Sequence, residues 1–253
     1  MDKYHFIFDK TVRSQRLKKS FKKYKNYPIN KCNIVIVAGG DGFMLRVLKK
    51  YYKHKKPFYG INCGTIGFLM NRFNTASLEK RIKKTKAFSI NPLEIKVINF
   101  SGKKFKTLAV NEISLLRQSR QTAILNLRMN NKELLKKLVG DGILVSTPAG
   151  STAYNLSVHG SIISINSRKL VITPISPFRP RRWRGKVVSD NSKIFIKNLD
   201  SNKRPVSAVA DNHEIRNIKS VEIKSNKMIY FKILFSSSES LIKKIRLEQK
   251  KMN

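Results

Sequence analysis

At Pro92 the hydrophobic period of this chain changes, and no other feature restricts its fold as much. Before that point short apolar runs alternate with longer helical patterns, as the βαβ units of a mostly parallel sheet require. "KYHFIF" reads as a strand and "TVRSQRLKKSFKKYK" as a solvated helix. "NIVIVAGG" is a buried strand stopped by glycine, followed by a helix with Phe43, Met44, Val47, Leu48 and Tyr51 on one face. "PFYGIN" is the next strand, and "TASLEKRIKKTKA" the next helix, with Asn74 or Thr75 as its N-cap.

From Pro92 the period is two. "LEIKVINF", "TAILNLRM", "KIFIKNL", "RPVSAVA" and "MIYFKILF" are short strands separated by turns, the pattern of an antiparallel sandwich or layered sheet. "SSESLIKKIRLEQKKMN" returns to a helical period behind a serine cap. The expected organisation is an α/β domain over residues 1–91, a β-rich, sandwich-like domain over 92–235, and a terminal helix over 236–253 packed back on the first domain.

Composition narrows the class. Of 253 residues 41% are hydrophobic, enough to bury a core, although 53 Lys and Arg against 15 Asp and Glu give a net charge of +38. Such a charge suits a nucleic-acid or membrane-surface binder. Yet lysine is spread through almost every segment, with no compact basic arm or nucleic-acid motif, which favours compositional drift with some attraction of anionic substrates. Cys32 and Cys63 form no CxxC pair, pointing to a reducing compartment. The four histidines show no metal-ligand spacing. No signal-like or membrane-length apolar stretch is found, so a soluble cytoplasmic protein is expected, with no membrane and no specific nucleic-acid partner.

Five stretches carry chemistry. Gly39-Gly40-Asp41-Gly42, between a strand and a helix, lets backbone amides approach a phosphate without Cβ atoms in the way. It is neither a P-loop nor a GxGxxG fingerprint, and Asp41 as a simple helix cap is the plainer alternative. "GINCGTIGFLMN", with Asn62, supplies a second glycine loop after the adjacent strand; ligands of open α/β sheets collect at such strand ends. Asn111-Glu112 is either a solvated bulge or a donor and acceptor pair for ribose hydroxyls. In "VGDGILVSTPAGSTAYNLSVHG", Asp141 precedes a strand and Ser151, Thr152 and Tyr154 crowd hydroxyls into a turn. "AGSTA" is not a GxSxG elbow, so the turn suits a nucleotide better than a serine nucleophile. "PISPFRPRRWRG" joins four arginines to the only tryptophan and reads as an anion-binding or interface loop.

"GGDG", "GINCGTIGFLMN", "VNE" and "DGILVSTPAGSTAY", in this order and spacing, strongly resemble the NAD kinase family, and "FRPRRWRG" resembles its alphaproteobacterial branch. GGDG alone is shared with lipid kinases, from which the "TPAGSTAY" loop separates this chain. The resemblance implies an α/β domain and a β-rich domain that together hold NAD, and transfer of phosphate to the 2′-hydroxyl of its adenosine ribose. ATP, another triphosphate or polyphosphate is the donor, with magnesium brought by it. It further implies that Asp41 accepts the hydroxyl proton and that Gly39, Gly40, Gly42 and Asn62 belong to the phosphate loops. Asn111 and Glu112 would hold NAD or the donor's magnesium, and Asp141 the nicotinamide side across a subunit interface of a dimer or tetramer. Thr152, Ala153, Tyr154, Asn155 and Ser157 would line the adenosine, with Arg46 and Asp211 carried over as further contacts. Ser161 stands where the family pattern has proline. A basic nucleic-acid binder on this scaffold and a catalytically silent NAD sensor are the rival readings.

Overall fold

The computed structural model describes residues 2–65, 67–74 and 76–236. The chain divides into two compact units: residues up to Ile90 together with the chain from Tyr230, and Asn91–Ile229. The first unit opens with β1 (Tyr4–Phe8), α1 (Val12–Ser20), β2 (Ile34–Gly39), α2 (Asp41–Tyr51), β3 (Phe58–Asn62), α3 (Leu78–Lys83) and β4 (Thr85–Ile90). β1, β2 and β3 pair in parallel, with Phe6 opposite Ile36 and Ile36 opposite Tyr59. Every residue of β2 is buried, as a parallel strand covered on both faces demands. On one face Ile34, Ile36, Tyr59 and Ile61 join an aromatic cluster of Tyr4, Phe6 and Phe21 with Leu78 and Ile82 from α3. α2 packs over β2 and β3, burying Met44, Leu45, Val47 and Leu48.

Local chemistry explains the helix starts. Thr11 caps α1 by accepting from the Ser14 N–H, and the Ser14 hydroxyl donates to Ala38 O at 2.8 Å, docking an otherwise solvated helix on β2. α3 is capped by Ser77, not by Asn74 or Thr75; Asn74 accepts from the Ala76 N–H instead, and Thr75 lies outside the described residues. The helix is also shorter than its sequence pattern suggests. Residues 85–87, read as its tail, open β4 instead, because a strand distant in sequence offers them a ladder partner.

The second unit holds β5 (Leu93–Asn99), β6 (Lys104–Ala109), β7 (Glu112–Arg117), β8 (Ala123–Met129), β9 (Lys132–Gly140), β10 (Gly142–Ser146), α4 (Tyr154–Ser157), β11 (Lys169–Ile175), β12 (Lys186–Ser189), β13 (Ile194–Asn198), β14 (Val206–Ala210), β15 (His213–Ile215) and β16 (Ile218–Ser225). Among the described residues they make two antiparallel six-stranded sheets, ordered β12-β11-β10-β7-β14-β15 and β6-β5-β16-β13-β8-β9. One apolar core joins them: Ile113, Leu115, Ile143, Val145 and Ile172 from the first sheet, Ile95, Leu125, Leu127, Ile196 and Ile223 from the second. Each such side chain contributes about 2 kcal/mol by leaving water. Trp183, from the arginine-rich loop, packs against the same core.

β17 (Phe231–Ser236) corrects the expected division of the chain. Read as the last strand of the β-rich half, it lies instead in the first sheet, parallel to β3 and antiparallel to β4, giving the order β1-β2-β3-β17-β4. Its buried residues Phe231, Ile233, Leu234 and Phe235 fill that sheet's faces. The second unit is thus an insertion whose two ends are clasped by one side chain, Asn91, donating to Ile229 O at 2.8 Å and Asn226 O at 3.4 Å. The terminal helix expected over 236–253 lies, beyond Ser236, outside the described residues.

Candidate active site

In the first unit β2 ends at Gly39, Gly40 stands as the N-cap residue of α2, and Asp41 opens the helix. A Cβ on Gly39 would meet the Phe43 ring at 2.6 Å, which accounts for that glycine by packing. At Gly40 and Gly42 a Cβ would meet nothing within 4 Å, so their backbone faces open space at the positive end of an eleven-residue helix. Asp41 caps no helix. Its Oδ2 accepts the Phe68 N–H at 2.7 Å and its Oδ1 the Leu69 N–H at 3.0 Å, tying the first glycine loop to the second.

The second loop is held by further bonds. Asn62 Oδ1 accepts from Gly64 N at 2.9 Å, Cys63 N donates to Gly39 O at 2.9 Å, and Asn62 N to Asn71 O at 2.8 Å. Gly39, Gly40, Asp41, Gly42 and Asn62 are therefore one constellation. Arg46 stands apart from it, exposed on α2, 3.9 Å from Asp9 and over the Phe43 ring.

In the second unit Asn111 immediately precedes β7 and Glu112 begins it, opposite the end of β10, where Glu112 pairs with Ser146. Asp211, in a left-handed turn after β14, accepts the N–H groups of Val110 and Asn111 at 2.8–3.1 Å and returns its own N–H to Glu112 O. The Thr147 hydroxyl donates to Val110 O and accepts from Gly150 N. Gly150 can only be glycine, because a Cβ there would collide with the Asn111 carbonyl. The hydroxyl-rich loop and the Asn111-Glu112 pair are thus one rigid piece.

Two atoms in this piece are conspicuous. Asn111 Oδ1 and Glu112 Oε2 are buried with no hydrogen-bond partner. Glu112 is 9% exposed, and burial, with the Asp211 charge adding to it, pushes its carboxyl up to about 8. Tyr154, half-exposed on α4, has its phenol raised by burial and then by the charges of Asp141 and Glu112, which places the three in one electrostatic neighbourhood. Asp141 itself is held by Arg117 Nε at 2.5 Å.

The loop residues divide by what their side chains do. Asn155 is fully buried: its Nδ2 donates to Ser151 O and Ser161 O, and its Oδ1 accepts from Thr173. Ser151 is likewise closed, donating to Pro148 O and accepting from Ile163 N. Thr152 is buried, whereas Ala153 and Ser157 retain access to solvent. Sequence reading missed the amides of Phe68 and Leu69, which no side chain advertises, and also Arg117 and Thr147. Thr147 had a signal, a hydroxyl immediately before Pro148-Ala149-Gly150.

Comparison with known proteins gives these pieces a family. Residues 6–85 match the ATP-NAD kinase N-terminal domain and residues 110–231 the ATP-NAD kinase C-terminal domain. The chain is 43% identical over 246 residues to an NAD kinase of Zymomonas mobilis, covering 96% of this chain and 95% of that one. An NAD kinase of Rhizobium meliloti is 42% identical over 226 residues, covering 89% and 88%. Among solved structures, an NAD kinase from Archaeoglobus fulgidus in complex with ATP aligns with a TM-score of 0.74 at 23% identity, covering 96% of this chain and 98% of that one. Yeast NADH kinase complexed with NADH aligns at 0.75 and 24% identity, covering 88% and 68%. Those two share the fold; the domain matches and the bacterial relatives go further, and place the chain in the ATP-NAD kinase family.

Proposed function

We propose that Asp41 is the proton acceptor of the family's reaction in this chain. The reaction carries a phosphoryl group from ATP to the 2′-hydroxyl of the adenosine ribose of NAD, giving NADP. The ribose oxygen forms a bond to the γ-phosphorus as the bridging bond to the β-phosphate breaks; ADP departs, and the hydroxyl proton passes to an Asp41 carboxylate oxygen. The observation that carries this assignment is the anchoring of Asp41 by two backbone N–H groups beside the open Gly40 and Gly42. A transfer of this kind depends on positioning and charge stabilisation more than on covalent chemistry, and a fixed carboxylate beside free amides offers both.

Asn111 and Glu112 are assigned to the ribose hydroxyls. A carboxyl that stays protonated at neutral pH can donate as well as accept, and Asn111 Oδ1 adds an acceptor without a partner. A protonated carboxyl is a poor ligand for a hard cation, and among the described residues no cluster of three His, Cys, Asp or Glu side chains could hold a metal. Magnesium is accordingly assigned to the donor's phosphates, and no step here depends on it. Tyr154, Thr152, Ala153 and Ser157 are assigned to the adenosine, Asp141 to the nicotinamide side, and Asn155 to shaping the loop. Arg46, Asn62 and Asp211 act from the edges of these groups. The protein is taken to be a cytoplasmic dimer or tetramer; light scattering of the purified chain tests the assembly.

The deciding experiment is NADP formation from NAD with ATP and magnesium, read through an NADP-specific dehydrogenase. Asp41→Asn is expected to lose about a thousandfold in turnover with modest loss of NAD binding. Equal activity removes Asp41 from the chemistry. A wild-type chain that binds NAD without turnover, with ATP or polyphosphate, would instead be a sensor.

A further inference from the structure

A cavity with a polar, basic lining lies in the first unit, outside the residues assigned above. A pocket of about 440 Å³ is lined by Tyr59, Asn71, Arg72, Lys80, Arg81 and Ser236, with Lys83 and Lys84 at its rim. Asn71 is spent on structure: its Nδ2 donates to Gly60 O and Leu234 O and its Oδ1 accepts from Ser236 N, joining the ends of β3 and β17. Arg81 is not spent. Its residue is 7% exposed, yet Nε and Nη1 are buried with no hydrogen-bond partner.

A buried guanidinium with two of its nitrogens unmatched is costly to any fold. Here the faces of the group rest near the rings of Phe73, 5.4 Å away, and Phe21, 6.0 Å away. Aromatic faces stabilise the charge but accept none of its N–H groups. The nearest acid in the sequence, Glu79, meets the Tyr24 hydroxyl at 3.4 Å. Among the described residues no Asp or Glu lines the pocket, whereas five Lys and Arg residues do. General attraction by a chain of +38 explains cations on a surface; it does not explain a cation kept inside with donors unmatched.

We infer that this pocket binds a compact polyphosphate anion, with Arg81 as its inner ligand and Lys80 and Lys83 as its outer ones. The volume suits a small molecule rather than a macromolecular surface. Planar guanidinium donors match phosphate oxygens, and mobile lysines at the rim match a second phosphate. Apart from Asn71, the last residue of the second glycine loop, the pocket shares no residue with the glycine loops, so the inference stands whether or not Asp41 is the base. Asn71 and Arg72 follow, after Met70 alone, the Phe68-Leu69 pair that holds Asp41.

Calorimetric titration of inorganic pyrophosphate at physiological salt tests it, on the wild-type chain, Arg81→Met and an exposed-charge control, Lys18→Met. The expected result is a binding event weakened about tenfold or lost in Arg81→Met and unchanged in the control. Arg81→Met should melt no lower than wild type, since it removes an unmatched buried charge; a group serving only the fold would behave oppositely. Wild type without binding, or equal binding in Arg81→Met and the control, overturns the inference. Should Arg81→Met fail to fold, Lys80→Gln with Lys83→Gln decides on exposed residues alone: affinity lowered about threefold supports the site, and unchanged affinity overturns it.

Discussion

Asp41 and Glu112 are both carboxyls in the family's motifs, and the fold treats them in opposite ways. Asp41 receives two backbone N–H groups from a loop 27 and 28 residues further along the chain. Glu112 is set at the mouth of an antiparallel sheet, buried, with one oxygen unpartnered and a second carboxylate, Asp211, nearby. The difference teaches that the two domains supply different things. The parallel sheet, whose strands end together, presents backbone donors and fixes a charge; the sandwich, closed by side chains, withholds donors and keeps an acid neutral.

The largest expected effect tests the first half of that contrast. Beyond its loss of turnover, Asp41→Asn leaves one of the Phe68 and Leu69 amides facing an NH₂ group, so hydrogen exchange at those two amides should quicken while that of β3 is unchanged. A mutant with normal exchange and abolished turnover would sharpen the picture to chemistry alone. The second half predicts a pH signature. The folded Glu112 keeps its proton up to about 8 whereas the unfolded chain releases it near its ordinary value of 4.5. The fold therefore binds the extra proton between those values, and the contribution present at low pH is lost as pH rises through about 8. Glu112→Gln, which cannot ionise, should gain on wild type across that window by on the order of 4 kcal/mol, read from denaturant melts at pH 5 and pH 9. Parallel curves would mean that Glu112 is ionised within the fold.

Smaller effects follow in order. Gly150→Ala drives a Cβ into the Asn111 carbonyl and should cost about 2 kcal/mol while displacing the Asn111-Glu112 pair, seen as a raised KM for NAD. Arg117→Gln should change stability by less than about 1 kcal/mol, because Arg117 and Asp141 are 35% and 37% exposed and water screens the pair.

Much of this was legible beforehand, for reasons that can be named. β2 and the face of α2 announce themselves through local periods, and the glycines of the first loop through their density. Gly150 could be read as part of a turn; that it is forced by Asn111 across the sheet could not, because the contact joins residues distant in sequence. The same limit hid β4. Its first three residues, "TKA", continue the helical pattern before them well enough, and only β17, arriving from the far end of the chain, makes the segment a strand. β17 in turn looks like any other apolar run, since alternation says which face a residue takes and not which sheet its strand will join. The Phe68 and Leu69 amides were invisible because every residue but proline carries one.

The return of β17 to the first sheet has a consequence for biosynthesis. On the ribosome the α/β unit cannot be completed in the order it is made: its fourth strand position stays vacant until the whole of Asn91–Ile229 has emerged. Until then, among the described residues, β3 has a bare edge and β4 has no strand to pair with. The inserted sandwich, contiguous in sequence and clasped at its ends by Asn91, can fold first. The domain that is translated first is therefore the one that matures last, and a stalled or truncated chain would display an unpaired parallel strand, the kind of edge that recruits other chains.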